Sequence, residues 1–443
     1  MRVLRGLEEA KRGLARRLGD LEQGPPGTEA QAIPLFGEPL PPGEVVRRIL
    51  RDVREQGDAA LARYARLLDG YVPSSWEVSP SAIATAEAKV APGLMKALET
   101  AAERIRAFHQ ACLPKSWLDP KAGYGERFTP IERVGIYIPG GTAVYPSTVL
   151  MTAIPARVAG VGEVIVATPT KGPQGPDPAV LAACRLAGVD RVFQIGGAQA
   201  IGALAYGAES VPRVDLVCGP GNLYVTLAKK QVYGVVAVDG LYGPTETVII
   251  ADGQANPEFC AADLLAQAEH DALATPILVT TSAALLPRVE EALERQLQGM
   301  ERADIARKAL DGQGRLVVVD TLEEAFELAN WFAPEHLCLL LEDPWAHLDK
   351  VKNAGGVFLG ESTPEVLGDY VAGPSHVMPT GGTARFSSPL GVHQFLKVTS
   401  VVGFTPQLLK RLAPTTAAIA RHEGLTAHAR AVEVRVGEGK KEG

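Results

Sequence analysis

Short runs of β-branched and aliphatic residues recur from Arg133 onward, and they constrain the fold more than any other feature of the chain. The runs are RVGIYI, EVIVATP, RVFQIGG, VDLVCGPG, VAVDG, TVIIAD, PILVTT, RLVVVD, HLCLLL and GGVFLG. They are nearly continuous in Val, Ile and Leu, as strands buried on both faces of a parallel sheet are. Helical segments of about 8 to 15 residues separate many of them, which is the βαβ pattern. The sequence therefore predicts an α/β fold.

These runs are too many for one small sheet, so we predict two related Rossmann-like lobes with mostly parallel sheets. A break between the lobes is expected near the Gly-Pro pair at 243–244. The chain begins with leucines at helical spacing, which predicts an amphipathic N-terminal helix. These leucines are Leu7, Leu14, Leu18 and Leu21. After about residue 385 the strand pattern fades, and we expect a helical C-terminal tail.

Composition and charge exclude several classes of partner. Of the 443 residues, 46% are hydrophobic and 21% charged, which is ordinary for a soluble globular protein. The net charge is −7 without a dominant basic face, so we expect neither nucleic acid nor an anionic membrane as a partner. No apolar run approaches the roughly 20 residues that span a bilayer, and the N-terminal segment lacks the apolar core of a secretory signal.

The five cysteines are scattered singly along the chain, without a C-x-x-C motif. They are Cys112, Cys184, Cys218, Cys260 and Cys338. An odd and dispersed set argues against a disulfide framework. We therefore expect a reducing compartment, which means a cytoplasmic protein.

Three of the predicted strands end in glycine-rich loops, in YIPGGTA, QIGGAQAIG and CGPGNLYV. In open α/β sheets ligands bind outside the carboxyl ends of strands, and glycine lets backbone N–H groups approach a phosphate at a helix N-terminus. No G-x-G-x-x-G follows the first strand, and no P-loop motif is present. A tight turn without a ligand remains the alternative for any one loop. Three such loops in one lobe favour a nucleotide-sized ligand.

A carboxylate and an imidazole stand side by side in WFAPEHLCLLL, as Glu335 and His336. They follow a proline and lead directly into an apolar run. One interpretation is that the pair ends a helix and is solvated there. The other is acid–base machinery at a strand end, because histidine titrates near neutral pH and a neighbouring carboxylate is a second proton carrier.

Three further segments carry candidate metal-binding or substrate-binding side chains. Gln267 and His270 in LLAQAEHD are three residues apart and so share a helix face, although such a histidine is more often an ordinary helix-end residue. LGDYVAGPSHVMP holds Asp369 and His376 in a loop after a strand, where functional residues concentrate but ordinary turn chemistry is also common. The third segment, HEGLTAHA, contains His422, Glu423 and His428.

Imidazoles and carboxylates from different segments suit Zn²⁺, which accepts nitrogen and oxygen ligands. None of the spacings matches H-E-x-x-H or a zinc finger. The residues by themselves therefore predict an α/β enzyme with a nucleotide lobe, and they leave the zinc site open.

Taken in order, eight segments resemble the histidinol dehydrogenase family from about residue 30 to 435. They are RVGIYIPGGTAVYPSTVLMTAIPARVAG, IGGAQAIGALAYG, CGPGNLYV, YGPTE, DLLAQAEHD, APEHL, GDYVAGPSHVMPT and GLTAHA. The resemblance implies oxidation of L-histidinol to L-histidine in two NAD⁺-dependent steps through bound histidinaldehyde. This four-electron oxidation is the last step of histidine biosynthesis.

The resemblance also implies a role for individual residues. One Zn²⁺ per subunit would be bound by Gln267, His270, Asp369 and His428. Glu335 and His336 would be the acid–base pair. NAD⁺ would contact Tyr137, Gln199 and Asn222, and the substrate would contact Thr245, His336, His376 and Glu423 together with the zinc ligands. Thr245 departs from the serine common in the family, but it keeps the hydroxyl.

Members of this family are intertwined homodimers with shared active sites, so the resemblance implies that Glu423 and His428 act across the subunit interface. It also implies a division of the chain. The expected parts are an N-terminal helical arm (1–30), a discontinuous catalytic α/β domain (31–136 and 245–390), an NAD-binding Rossmann-like domain (137–244) and a C-terminal tail that reaches the partner subunit (391–443).

The sequence leaves several rival functions open. A thiol-based aldehyde dehydrogenase would use a reactive cysteine, and Cys338 stands two residues after His336. Its place in an apolar run argues against activation, because burial raises a thiol pKa. A zinc hydrolase would need a metal-bound water and no nucleotide lobe. A non-catalytic nucleotide-binding protein, or a dehydrogenase of the same family acting on another small alcohol, are the remaining alternatives.

Overall fold

The computed structural model describes residues 1–15, 22, 27–140, 143–170 and 172–437. The chain divides into two compact units. The first contains Met1–Leu113 and Ile131–Phe395, and the second contains Pro114–Pro130 and Leu396–Gly443. Each unit is described by itself below.

The strands of the described residues are β1 (Arg2–Arg5), β2 (Trp117–Asp119), β3 (Tyr124–Pro130), β4 (Arg133–Tyr137), β5 (Glu163–Ala167), β6 (Arg191–Phe193), β7 (Leu216–Cys218), β8 (Ala237–Val238), β9 (Glu246–Ala251), β10 (Thr275–Thr280), β11 (Arg315–Val318), β12 (His336–Leu340), β13 (Gly356–Leu359) and β14 (Leu396–Val402). The α-helices are α1 (Leu7–Leu14), α2 (Ile33–Phe36), α3 (Pro42–Gln56), α4 (Asp58–Tyr64), α5 (Pro80–Ala84), α6 (Pro92–Ala111), α7 (Pro146–Ala159), α8 (Pro178–Ala187), α9 (Gly197–Tyr206), α10 (Leu223–Val232), α11 (Pro257–Ala268), α12 (Leu285–Leu297), α13 (Ala303–Gly312), α14 (Leu322–Phe332), α15 (Val366–Tyr370), α16 (Pro406–His422) and α17 (Thr426–Val436).

The first unit contains two parallel sheets, as the strand pattern predicted. In the part of the chain that the structure describes, one sheet has the order β6-β5-β4-β7-β8 and the other β1-β11-β10-β9-β12-β13. All their pairings are parallel. Helices flank both sheets, so their strands are buried on both faces and are apolar at consecutive positions instead of at alternating ones. The predicted α/β fold class is confirmed.

Helices cover the sheets through apolar side chains at helical spacing. Val46, Ile49, Leu50 and Val53 of α3 pack with α4, α9 and α10 into the core that faces the five-stranded sheet. Helices α11 to α13 cover one face of the six-stranded sheet, and α1 with α14 cover its other face. No helix of the described residues is long and apolar enough to cross a membrane.

The second unit is built on an antiparallel sheet of order β14-β3-β2, together with α16 and α17, which pack on each other. Many of its large apolar side chains are exposed. They include Trp117, Leu118, Tyr124, Val398, Val402, Phe404, Ile419 and Val434. Exposed apolar side chains grouped in this way are typical of surfaces that bind another molecule.

Two terminal details differ from the sequence prediction. Before α1 the chain forms β1, which pairs in parallel with β11, so the N-terminal arm begins as a strand. Leu7 and Leu14 lie in α1 as predicted, whereas Leu18 and Leu21 fall outside the described residues. The tail begins with β14, which pairs with β3. Both strands pair with segments remote in sequence, and a short strand with an exposed face gives little local signal.

Candidate active site

A tight turn places Glu335 and His336 at the amino end of β12, inside the first unit. Helix α14 ends at Ala333, which adopts the left-handed conformation with φ 54° and donates its N–H to Ala329 O at 2.7 Å. Pro334 follows, and the chain enters the sheet at His336. Glu335 is 7% exposed and His336 is 2% exposed. This burial excludes the interpretation of a solvated helix end.

Glu335 is held by two groups at the start of β9. Its Oε2 accepts hydrogen bonds from Thr245 Oγ1 at 2.6 Å and from the Glu246 N–H at 3.1 Å. Thr245 Oγ1 lies 2.7 Å from Gln267 Oε1. The Thr245 hydroxyl carries one proton, so it donates to Glu335 when that group is ionised, and it donates to Gln267 Oε1 when a protonated Glu335 donates to Thr245. Burial raises the pKa of Glu335, although His336, Thr245 and the Glu246 N–H oppose the shift. This carboxyl group can therefore exchange a proton near neutral pH.

The His336 ring presents one nitrogen to the backbone and leaves the other free. Nδ1 lies 3.3 Å from the Glu246 carbonyl oxygen and 3.7 Å from Glu335 Oε2. Because the Glu246 carbonyl only accepts and is nearer to Nδ1 than the Gln267 amide nitrogen at 3.4 Å, we place the proton of the neutral ring on Nδ1, which makes Nε2 the acceptor. Nε2 is buried, has no hydrogen-bond partner among the described residues and lies 3.7 Å from Asp369 Oδ1. Phe358 stacks on the ring at 5.8 Å between centroids.

Carboxylates around His336 control its charge. Burial acts to lower the pKa of His336, but the charge of Glu335, contact with Asp369 and the charge of Glu365 outweigh burial and raise it. Burial likewise acts to raise the pKa of Asp369, while contact with His336 and the charges of His376 and His270 lower it. Asp369 is therefore an ionised carboxylate, and a cationic group beside it would offset its effect on His336.

His376 lies seven residues after Asp369, and its hydrogen bonds hold the imidazole in the neutral form. Its Nδ1 donates to the Asp369 carbonyl oxygen at 2.7 Å, and its Nε2 lies 3.1 Å from Thr148 Oγ1, from which it accepts. Burial lowers the pKa of His376. Thr148, in the first turn of α7, did not appear among the sequence candidates. Only its place just after the loop YIPGGTA indicated a role.

Gln267 and His270 lie at the end of α11. The helix ends at Ala268, so His270 lies in the following turn, where its N–H donates to Gln267 O at 3.2 Å. Gln267 is buried, and its Nε2 lies 3.4 Å from His336 Nδ1, whereas His270 is exposed. The prediction that Gln267 and His270 share a helix face therefore fails, because His270 lies beyond the end of the helix.

Glu423 and His428 belong to the second unit. Glu423 ends α16, and His428 lies in the first turn of α17. Their N–H groups donate to Ile419 O and Leu425 O, respectively, at 3.0 Å. Both residues are exposed. Neither side chain is committed to a hydrogen bond within this unit's described residues, so both can serve a ligand.

The candidate zinc ligands of the first unit form an incomplete set. They are an amide, an imidazole and a carboxylate (Gln267, His270 and Asp369), all of types that Zn²⁺ accepts. Within the described residues no group of three His, Cys, Asp or Glu side chains is assembled to hold a metal. The ionised Asp369 with His270 nearby fits a cation. A further ligand would have to come from elsewhere, since four-coordinate zinc needs one more donor.

The candidate NAD contacts lie at carboxyl ends of strands in the five-stranded sheet. Tyr137 ends β4 and its hydroxyl accepts the Gly197 N–H at 3.1 Å. Gln199, in the first turn of α9, is 1% exposed, and its Oε1 has no hydrogen-bond partner among the described residues. Asn222 caps α10, with Oδ1 accepting the Val225 N–H at 3.1 Å. An unsatisfied buried oxygen beside a helix N-terminus is a place where a ligand can bind.

Glu365 and Cys338 form a buried pair that the sequence did not indicate. Glu365 Oε2 accepts hydrogen bonds from Thr247 Oγ1 at 2.6 Å and from Cys338 Sγ at 3.3 Å. Burial, then the charges of Glu365 and Asp263, raise the pKa of the Cys338 thiol well above its usual value. Cys338 therefore lacks the thiolate character that a catalytic nucleophile needs.

Comparisons with known proteins agree on one family. The family model described as "Histidinol dehydrogenase" matches residues 42–436. The chain is 48% identical over 440 residues to the histidinol dehydrogenase of Deinococcus radiodurans, covering 98% of this chain and 100% of the relative. It is 55% identical over 394 residues to the histidinol dehydrogenase of Thermus thermophilus, and the match covers 88% of this chain and 94% of that relative. The crystal structure of histidinol dehydrogenase from Elizabethkingia anophelis superposes with a TM-score of 0.88 at 35% identity, covering 98% of each chain.

Proposed function

The chain belongs to the histidinol dehydrogenase family, and we propose that it oxidises L-histidinol to L-histidine through bound histidinaldehyde, with two NAD⁺ and one Zn²⁺ per subunit. This is the last step of histidine biosynthesis. The observation that carries the proposal is the buried Glu335–His336 pair, in which Nε2 of His336 lies beside Asp369 and has no hydrogen-bond partner in the described part of the chain. An acid–base pair in this setting suits proton transfer from an alcohol.

The binding roles follow the two sheets. We propose that residues 137–244 bind NAD⁺, with Tyr137, Gln199 and Asn222 as contacts, because all three lie at carboxyl ends of parallel strands. When bound, NAD⁺ accepts a hydride from the substrate in each oxidation. The catalytic domain would comprise 31–136 and 245–390, flanked by the N-terminal arm 1–30 and the tail 391–443.

Zinc would be held by Gln267, His270 and Asp369, with the fourth position taken by His428 of the partner subunit. When bound, the metal would anchor the substrate's amino group and imidazole and so place the carbinol carbon. Thr245, His376 and Glu423 would complete the substrate site. The neutral His376 offers a hydrogen-bonding ring without a charge.

His336 would accept the hydroxyl proton in the first oxidation. Its Nδ1–H faces the Glu246 carbonyl, which orients Nε2 as the acceptor. A cationic group at Asp369 would oppose the raising effect of that carboxylate on the pKa of His336, which favours the neutral ring that can take up a proton at Nε2. The same nitrogen would act again on the aldehyde hydrate in the second oxidation.

Glu335 would activate the water that hydrates the aldehyde. Its pKa is raised by burial, and its hydrogen bonds to Thr245 and the Glu246 N–H keep the carboxyl group in one orientation. A carboxylate that titrates near neutral pH can take a proton from water and pass it on.

The overall proposal is tested by the stoichiometry of NADH formation. Purified protein is supplied with limiting L-histidinol and excess NAD⁺, and the absorbance of NADH is followed to completion. Two NADH per L-histidinol are expected. One NADH would mean that the aldehyde is released, which contradicts the four-electron reaction. Absence of NADH with L-histidinol, but formation with another small alcohol, would assign the chain to a different substrate.

Replacing Glu335 by Gln should stall the second oxidation selectively. The amide keeps the shape and the hydrogen bond to Thr245 but cannot take a proton from water, so oxidation of histidinaldehyde should fall by about 10²-fold or more. The first oxidation should be affected much less. Single-turnover assays with each substrate separate the steps, and equal loss of both would contradict this division of roles.

Replacing Cys338 by Ser tests the thiol-based alternative. The hydroxyl can still donate to Glu365, so we expect NADH formation close to that of the unaltered protein and resistance of both proteins to alkylating reagents. Removing a true covalent nucleophile costs on the order of 10⁶-fold in kcat. A loss of that order in the Ser variant would favour a thiol-based aldehyde dehydrogenase.

We also propose that the protein is an intertwined homodimer in a reducing compartment such as the cytoplasm. The exposed apolar side chains of the second unit support a subunit interface there. The five unpaired cysteines, four of them buried, support the compartment. Complementation of an inactive Asp369 variant by an inactive His428 variant in mixed dimers would demonstrate shared sites.

A further inference from the structure

The first unit contains a buried ion pair, and no step of the proposed reaction uses this pair. Lys229, in the last half of α10, is 1% exposed, and its Nζ lies 2.5 Å from Asp239 Oδ1, just beyond β8. Both side chains are almost completely shielded from water. Removing two charges from water is costly, and an apolar pair of similar size often gives equal or greater stability. The pair therefore calls for an explanation other than stability.

The ion pair holds both polar groups of one glycine. Lys229 Nζ donates to the Gly219 carbonyl oxygen at 2.9 Å, and the Gly219 N–H donates to Asp239 Oδ2 at 2.8 Å. Gly219 has φ 108°, and a Cβ there would come within 2.2 Å of the Tyr137 carbonyl oxygen. Gly219 therefore lies in close contact with the backbone of Tyr137, and the ion pair holds it there through two hydrogen bonds. Gly219 also opens the loop that ends at Asn222, so the pair acts on two of the proposed NAD contacts.

The same ion pair packs on the segment that leads to the substrate site. Lys229 Nζ lies 4.6 Å from the centre of the Tyr242 ring, and the Tyr242 carbonyl oxygen accepts a hydrogen bond from Thr226 Oγ1 at 2.8 Å. Asp239 Oδ1 also accepts the Gly240 N–H at 2.9 Å, at the start of this segment. Thr245, three residues after Tyr242, is hydrogen-bonded to Glu335.

We propose that Lys229 and Asp239 are positioning residues that hold the glycine loop 219–222 and the segment 239–245 at a fixed separation. The loop carries the nicotinamide nucleotide and the segment carries the hydroxyl that orients Glu335, so their separation sets the distance between the two reacting carbons. The directed hydrogen bonds of the ion pair fix Gly219 and Gly240 in defined positions, which apolar side chains could not do. The proposal rests on the proposed NAD-dependent function.

The first test replaces Asp239 by Asn and compares it with Asp190→Asn. Asp190 is the control because its carboxylate likewise pairs with a basic side chain, that of Arg157, and accepts a backbone N–H, from Val164 at 2.7 Å, at the opposite end of the same sheet. We expect Asp239→Asn to raise the Kd and KM for NAD⁺ about 10-fold and to lower kcat/KM about 10²-fold, as a small misplacement of reactants does. Asp190→Asn should leave these constants unchanged.

The second test separates positioning from stability. Lys229→Met combined with Asp239→Leu removes both charges, so its Tm should recover to near that of the unaltered protein, because a buried ion pair can be replaced by apolar residues. The weakened NAD⁺ binding should persist in this double variant. Recovery of both Tm and NAD⁺ affinity would overturn the proposal, as would wild-type constants in Asp239→Asn with only a lower Tm.

Failure of the proposed function gives a different result. In that case the unaltered protein itself would neither bind NAD⁺ in a calorimetric titration nor reduce it, and the positioning role would fall with it. NAD⁺ binding by the unaltered protein together with wild-type affinity in both Asp239 variants would reject the positioning role alone.

Discussion

Replacing His336 by Asn should reduce NADH formation by about 10²–10⁴-fold, with both L-histidinol and histidinaldehyde, since positioned general bases contribute rate factors of this size. The reason lies in the ring geometry. Nδ1 faces the Glu246 carbonyl oxygen at 3.3 Å, which leaves Nε2 as the acceptor, and no other described side chain occupies that nitrogen. Asparagine can keep the contact with the backbone but cannot take up a proton near neutral pH.

The measurement is kcat for each substrate, with the Kd for NAD⁺ determined separately. His109→Asn is a matched control, because His109 is also a buried histidine of the first unit, on α6 and outside the candidate site. It should lower the thermal stability at most. If the His336 variant kept its rate with histidinaldehyde while losing it with L-histidinol, a single base could not serve both oxidations.

Removing the metal should abolish activity almost completely. Zinc is proposed to place the substrate by binding its amino group and imidazole, and loss of correct placement costs about 10²-fold or more. A chelator should therefore stop NADH formation with L-histidinol, and added Zn²⁺ should restore it. The zinc content of the protein should follow the activity at about one ion per subunit, the stoichiometry of a single four-ligand site.

Asp369→Asn should mimic removal of the metal. Its carboxylate is ionised, and the amide that replaces it is a much weaker zinc ligand. Asp263→Asn is the control, because burial raises the pKa of Asp263 to about 7 and a neutral amide resembles its protonated form. Full activity of carefully metal-free protein would remove zinc from the proposal and leave the NAD-dependent reaction to be explained by protein groups alone.

The strand pattern was enough to predict the fold class because its physical cause is local. A strand buried on both faces of a parallel sheet must be apolar at every position, and β9 and β12 are buried throughout. The strands β1 and β14 escaped prediction for the opposite reason. Each pairs with a strand distant in sequence, β11 or β3, and much of β14 remains exposed, so nothing in the neighbouring residues marks it as a strand.

The candidate site was also only partly predictable from the sequence. The residues Glu335, His336 and Asp369 could be named from sequence, because titratable groups beside strand ends are unusual and their order resembles that of one family. The burial of these side chains could not be predicted from the sequence. Helix α14, Phe358 and the start of β9 enclose the pair, which leaves His336 Nε2 buried without a partner among the described residues and shields Glu335 enough for its pKa to rise.

By itself the sequence determined the strands β4 to β13 of the two parallel sheets, the helical segments between many of them, the glycine loops at strand ends and the types of side chain available for chemistry. These follow from short-range rules of periodicity, turn geometry and side-chain type. Only the tertiary structure decided that Thr148 meets His376, that Glu365 meets Cys338, and that Lys229 and Asp239 enclose Gly219. Such contacts join residues up to 228 positions apart, and burial and charge at those places are properties of the packed chain, which no local pattern encodes.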